Sequence, residues 1–446
     1  MNCPILQLLE LHRSRVFPDA DHPSKALSNV FTEKRQDGIF AGLHMPAGRF
    51  VLAITSGREH QRFPGQWPGI GSQDGRQMRI LFSATPAAGH VLPLVPLANA
   101  AGDAGHDVAF LTGPDMAGYL GSRTLVPAGP GISELMAETA RRTGGDDGLR
   151  LSGASVELFV GARIDLTYDQ ALDQARRFAP DLLVCEALDF VGPLVAAALD
   201  VPWAAHAIVM PILADLQESA IARADDQATA RGLRPRRRFA LVDPLPDVLR
   251  SPADPPLPDD RVVLRPTAHA GDRVSGPVPG LPDGRPLVLV TLGTSVRVRG
   301  LPARLARSAA EAGYEVAVTV EPGTLPGTRG VHEIGFVPLA RLLPGVDAVI
   351  GAGGSGTVQA TLAAGLPMVL RPVLADQPWT AQRVARAGAG LVIDDPAEAG
   401  PAVRTVLTDP RYRTAAQEAA AAIQSMPAPE AALDDLLARA GLSDRA

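Results

Sequence analysis

An alternation along the chain constrains its fold more than any other feature. Short apolar runs are each followed by a turn and a helix-like stretch, and the pattern comes in two series. The first series has strand-like runs at "RILFSAT" (79–85), "HDVAFLT" (106–112) and "PDLLVCEA" (180–187), with helical stretches in "VLPLVPLANAAGDAG" (91–105) and "GPLVAAALD" (192–200). The second has "LVLVTLG" (287–293), "YEVAVTV" (314–320), "DAVIGA" (347–352), "MVLRPV" (368–373) and "GLVID" (390–394). Strands alternating with helices predict parallel sheets covered by helices, an α/β class. Between the series lies "LVDPLPDVLRSPADPPLPDD" (241–260), rich in proline and aspartate, which reads as loop and linker. A second breaker cluster, "GPVPGLPDGRP" (276–286), places the domain boundary at 265–284. Two Rossmann-like domains are therefore expected, at 78–264 and 285–446. Ligands of such sheets sit at the carboxyl ends of the strands, so a central cleft between the domains is the expected site.

Residues 1–77 read differently. Both lysines of the chain, Lys25 and Lys34, fall there, and "PGQWPGIGSQDGRQ" (64–77) has the composition of a linker. A clean strand opens at Met78. We expect 1–77 to be a disordered or dispensable extension. The net charge of −6 argues against a nucleic-acid partner, since binders carry a basic excess. The basic cluster "RPRRRF" (234–239) reads as a solvated loop. The two cysteines, Cys3 and Cys185, give no disulfide framework or zinc spacing. No apolar run reaches the ~18 residues needed to span a bilayer, and the start lacks a secretory pattern. A soluble cytoplasmic protein with no membrane span is expected.

Several blocks resemble, in order, the family 1 glycosyltransferases of GT-B fold, and within them the actinobacterial enzymes that decorate natural products such as macrolides, aromatic polyketides and enediynes. They are "AAGHVLPLVPLA" (87–98), "VLRPTAHAG" (263–271), "VLVTLGTS" (288–295), "GFVPLARLLPGVDAVIGAGGSGT" (335–357) and "ADQPWTAQRVARAGAG" (375–390). The resemblance runs from Met78 onward and leaves 1–77 outside. It implies an N-terminal acceptor domain and a C-terminal domain for a nucleoside-diphosphate sugar of UDP or dTDP type. It also implies an inverting, metal-independent reaction with no cofactor beyond the nucleotide sugar. The donor region has no Asp-x-Asp motif, in line with that chemistry.

His90 follows Gly89 at a strand–turn–helix corner, and by resemblance it is the general base for an acceptor hydroxyl. Imidazole suits that work because it titrates near neutrality. Such a base needs an orienting carboxylate. Asp165, Asp169 and Asp173 lie four apart along one helix face, and Glu186 and Asp189 follow the strand "DLLVC". The sequence leaves the choice open. By resemblance Gly293 and Thr294 line the donor site, and Phe336 and Val337 meet the nucleotide base. Gly353, Gly354, Ser355, Gly356 and Thr357 form a glycine-rich loop whose N–H groups suit a diphosphate at a helix start. Asp376 and Gln377 match the acidic–amide pair that binds sugar hydroxyls. Asp376 is also a good N-cap with Pro378 behind it.

The resemblance is broken at Ala352, where the family carries a histidine that donates to the diphosphate. Arg297, Arg299 and Arg371 are candidates to compensate. A second reading therefore stays open: a non-catalytic glycosyltransferase-like helper that stabilises a partner enzyme. Retention of His90, Asp376 and Gln377 favours the enzyme. A related nucleotide-sugar epimerase fits less well, because its sites are richer in charge. A homodimer, the acceptor and the sugar are left open by the sequence.

Overall fold

The computed structural model describes residues 77–208, 214–268, 278, 281, 286–294, 296, 298–325 and 327–442, with the strands 39–44 and 51–56. The chain divides into two units, Met1–Pro68 and Gly69–Ala446. In the first unit, β1 (Ile39–His44) and β2 (Val51–Ser56) pair antiparallel, with Ile39 opposite Ser56. The rest of the expected 1–77 extension lies outside the described residues, save Gln77.

The second unit holds two parallel sheets. The first contains β3 (Arg79–Ser83), β4 (Asp107–Thr112), β5 (Thr124–Pro127), β6 (Leu182–Glu186), β7 (Trp203–His206), β8 (Leu241–Asp243) and β9 (Arg261–Val263). Its order is β5-β4-β3-β6-β7-β8-β9. The second contains β10 (Leu287–Thr291), β11 (Glu315–Val318), β12 (Val331–Glu333), β13 (Ala348–Gly351), β14 (Met368–Leu370) and β15 (Gly390–Val392), in the order β12-β11-β10-β13-β14-β15. Every residue of β6, β10 and β13 is buried. Covered on both faces, a central parallel strand can be apolar throughout, which is why these runs were legible.

In each sheet the strand order reverses once, between β3 and β6 and between β10 and β13. A crevice opens at such a point, where neighbouring connections leave in opposite directions. The loop after β3 leads into the short helix α1 (Ala88–Val91), and α2 (Val95–Asp103) follows, with Pro96 in its first turn. Further on come α3 (Arg163–Phe178) and α4 (Val191–Leu199). In the second domain β13 leads into α5 (Ser355–Ala363), and β14 into α6 (Gln377–Arg386).

Two segments depart from the expected partition. The stretch 241–260 was read as loop and linker, yet it supplies β8 and the 3-10 turn Asp247–Leu249. A three-residue strand ended at once by Pro244 leaves no periodicity to read. Leu245 and Leu249 of this stretch pack into the second domain's core with Leu289 and Val349. Conversely, the last described helix, α7 (Pro429–Arg439), lies within the expected second domain but packs on the first. Its Ala432, Leu433, Leu436 and Leu437 join Val95, Leu97, Ala98 and Ala101 in one buried cluster. Each such leucine stabilises by about 1.5–3 kcal/mol when fully buried. Among the described residues, no helix is long and apolar enough to cross a membrane.

Candidate active site

Glu186 is the carboxylate that meets His90. His90 stands on α1 beyond β3, and Glu186 is the last residue of β6, so the first switch point brings them together. His90 Nδ1 lies 2.8 Å from Glu186 Oε1. Glu186 also accepts the N–H of Leu188 at 2.7 Å and that of Thr85 at 3.3 Å. A carboxylate only accepts, so Nδ1 carries a proton, and in the neutral ring Nε2 keeps its lone pair. Burial pushes the Glu186 carboxyl up, but the charge of protonated His90, its hydrogen bond and those of Leu188 and Thr85 together hold it below its ordinary value. The imidazole stacks on Phe159, with ring centroids 5.5 Å apart and planes at 26°.

The other candidate carboxylates are engaged elsewhere. Asp165 bonds Arg142 at 2.9 Å and Gln227 at 3.1 Å, Asp169 is exposed, and Asp173 lies 3.4 Å from Arg176. Asp189 is buried behind the site. It accepts the Ser83 hydroxyl, lies 3.4 Å from Arg163 and takes the Gly192 N–H at 3.3 Å. Burial pushes its carboxyl up, and the Arg163 charge offsets this only in part.

The second switch point holds the glycine loop. Gly353 has φ +87°, and a Cβ there would come 3.0 Å from the Gln377 carbonyl oxygen. Gly354 is extended and caps α5. The N–H groups of Ser355, Gly356 and Thr357 open that helix without intrahelical acceptors. Ala352 is buried under the loop at 2% exposure and offers no donor. Ser355 donates its hydroxyl to Asp376 Oδ2 at 2.9 Å, so that hydroxyl is already engaged.

Asp376 stands at the N-cap of α6 with Pro378 in the first turn, as expected, but its side chain takes Ser355 instead of a backbone N–H. Burial pushes its carboxyl up despite the Ser355 bond. The charge that His90 carries when protonated adds a last, small pull in the opposite direction. Gln377 Oε1 accepts the N–H groups of Val373 at 2.9 Å and Leu374 at 3.0 Å. It braces the loop in which Ala375 adopts φ +53°.

Gly293, at φ +71°, and Thr294 follow β10 at the same crevice. Phe336 is 57% exposed, and its ring meets Tyr119 of the first domain edge-on at 5.8 Å. Val337 packs against the second core. Arg299 is exposed, Arg371 bonds the Pro372 carbonyl, and Arg297 lies outside the described residues. Sequence reasoning missed Phe159 and Tyr119. No motif marks either, and only the folded chain brings them to the cleft.

Two Rossmann-like parallel sheets, one with a histidine–carboxylate pair at its switch point and one with a glycine loop at a helix start, have the architecture of the GT-B glycosyltransferases. The comparisons agree. Residues 303–438 match the family described as "Erythromycin biosynthesis protein CIII-like, C-terminal domain". The chain is 30% identical over 380 residues to the elloramycin glycosyltransferase ElmGT of Streptomyces olivaceus, covering 79% of this chain and 95% of that one. It is 29% identical over 402 residues to the L-demethylnoviosyl transferase of Streptomyces niveus, covering 81% and 98%. The crystal structure of the Streptomyces sp. SF2575 glycosyltransferase SsfS6 with thymidine diphosphate superposes with a TM-score of 0.68 at 26% identity, covering 80% and 98%. The chain belongs to the actinobacterial antibiotic glycosyltransferases.

Proposed function

We propose that this enzyme moves a sugar from a thymidine-diphosphate sugar to a hydroxyl of a small natural-product acceptor. The stereochemistry inverts, and no metal is needed. The observation that carries the chemistry is the His90–Glu186 pair. Nε2 takes the hydroxyl proton, and buried Glu186 offsets the positive charge that His90 gains. The acceptor oxygen then forms its bond to the anomeric carbon as the bond to the diphosphate breaks. One displacement from the opposite face inverts that centre. The electron pair leaves with the diphosphate, whose charge the N–H groups of 355–357 and the α5 dipole receive. Asp376 offers its second carboxylate oxygen to sugar hydroxyls, and the Phe336 ring offers a face to the base. Residues 78–264 with α7 supply the acceptor side, and the second domain supplies the donor side. Thymidine is favoured over uridine because the superposed relative, at 26% identity, holds thymidine diphosphate.

Thermal shift with a panel of dTDP- and UDP-sugars tests the donor. At a hundredfold excess over Kd a true donor adds about 2.7 kcal/mol of apparent stability. A raised melting temperature with dTDP-sugars and none with UDP-sugars is expected. No shift with any of them at millimolar concentration refutes the reading.

A further inference from the structure

Directly across from His90, the backbone leaves α-helical geometry. Residues Glu157–Ala162 form a π-helical turn leading straight into α3. Such turns are rare, and they re-aim the side chains that follow them. Here the turn is pinned at both ends. Glu157 accepts Arg142 at 2.7 Å on the outside. Arg163, buried at 1% exposure, closes the inside. It donates to the Ala84 carbonyl at 2.9 Å and to Thr167 at 3.1 Å, and it approaches Asp189. Ala84 immediately precedes Thr85, whose N–H holds Glu186. The π turn is thus tied to the same loop that supports the histidine–carboxylate pair. The side chain it projects between these anchors is Phe159, which lies along the His90 ring.

A hydrogen bond to Nδ1 fixes one edge of an imidazole but leaves the ring free to pivot about that bond. A flat apolar surface along the ring face removes this freedom. We propose that Phe159, presented by the π turn, is a positioning residue for His90. It holds the imidazole plane so that Nδ1–H stays on Glu186 and the Nε2 lone pair stays aimed away from it. The proposal rests on the assignment of His90 as the base for its consequence in catalysis, but its test needs no acceptor.

The test uses the full chain labelled with 15N in its histidines, at a pH where His90 is neutral, with His90→Ala identifying the signal. Wild-type protein is expected to show two well-separated ring nitrogens, one protonated and one bare. Phe159→Leu keeps the apolar volume and loses the flat face. Its two signals are expected to converge as the tautomers exchange, while dTDP affinity stays within about twofold and melting stays cooperative. Phe159→Tyr is expected to keep the wild-type separation. An unchanged separation in Phe159→Leu overturns the proposal, as does convergence in Phe159→Tyr. Should the signals behave as expected while His90→Ala turns over normally, the assignment of His90 as base fails and the positioning role stands.

Discussion

At the first switch point a histidine and a buried glutamate meet at 2.8 Å. At the second, a buried alanine separates a strand from a glycine loop at a helix start. Both corners are strand–loop–helix junctions at the same place in their sheets, yet they work through different parts of the chain. In the proposed reaction the first corner acts through two ionisable side chains. In the same reading the second acts through backbone N–H groups, with side chains as braces: Ser355 on Asp376, and Gln377 on the loop behind it. A site made of backbone is expected to tolerate the loss of one side chain, such as the histidine absent at Ala352. A site made of two side chains is not.

The sharpest break in this comparison is His90→Ala. Turnover is expected to fall by about 10²–10⁴, the worth of a general base, with dTDP affinity unchanged in calorimetry. Unchanged turnover at saturating acceptor would place the proton transfer elsewhere. Glu186→Gln is expected to cost less, on the order of 10²-fold in kcat. The amide cannot offset the charge on the imidazole and admits the wrong tautomer.

A stability effect comes next. His206, paired with Glu186 in register, is buried at the end of β7, where burial holds it down to about 4. The unfolded chain titrates it near 6.5. From that value down to about 4 the unfolded state binds the extra proton and the folded state does not. Stability is therefore full above about 6.5 and is lost as pH falls through the window. Denaturant melts at pH 7.5 and pH 5 are expected to differ by about 2 kcal/mol from this group. In His206→Asn that share of the difference should vanish.

On the donor side the effects are smaller. Asp376→Asn is expected to weaken dTDP-sugar binding by about tenfold, the scale of one charged hydrogen bond, and bare dTDP by less. Equal losses would mean that Asp376 acts only through Ser355. Ala352→His is the mildest. An imidazole that swings clear of the loop should tighten dTDP binding severalfold, up to about tenfold. Weaker binding with a lower melting temperature would instead show that the alanine packs the loop from beneath, since overfilling a core costs about 1–3 kcal/mol.

Much of this architecture could be read from the chain. The central strands announce themselves because burial on both faces demands unbroken apolar runs, as in "LVLVT" (287–291). His90 and the glycine loop were singled out through the blocks that resemble the family; alone, a Gly-His pair reads as a turn and a glycine-rich turn is a weak signal. Glu186 stood among several carboxylates, and only the pairing of β3 with β6 selects it. The Ser355–Asp376 bond joins residues 21 apart, so sequence could offer only the general capping preference of aspartate, and Ser355 occupies that side chain instead. The π turn carries no signal, since one extra residue in a helix changes the apolar period too briefly to detect. The sequence reading stopped short of α7, and nothing in 429–439 marks which core that helix completes.

That last helix bears on how the enzyme is made. Leu433, Leu436 and Leu437 fill space beside residues from the start of the first domain, such as Val95 and Leu97. While the ribosome is still translating the second domain, the first lacks the helix that covers this side of α2. Its core closes only after residues 429–439 emerge, so the domain begun first is finished last. Until then that side is a sticky surface that the growing chain must keep from other partners.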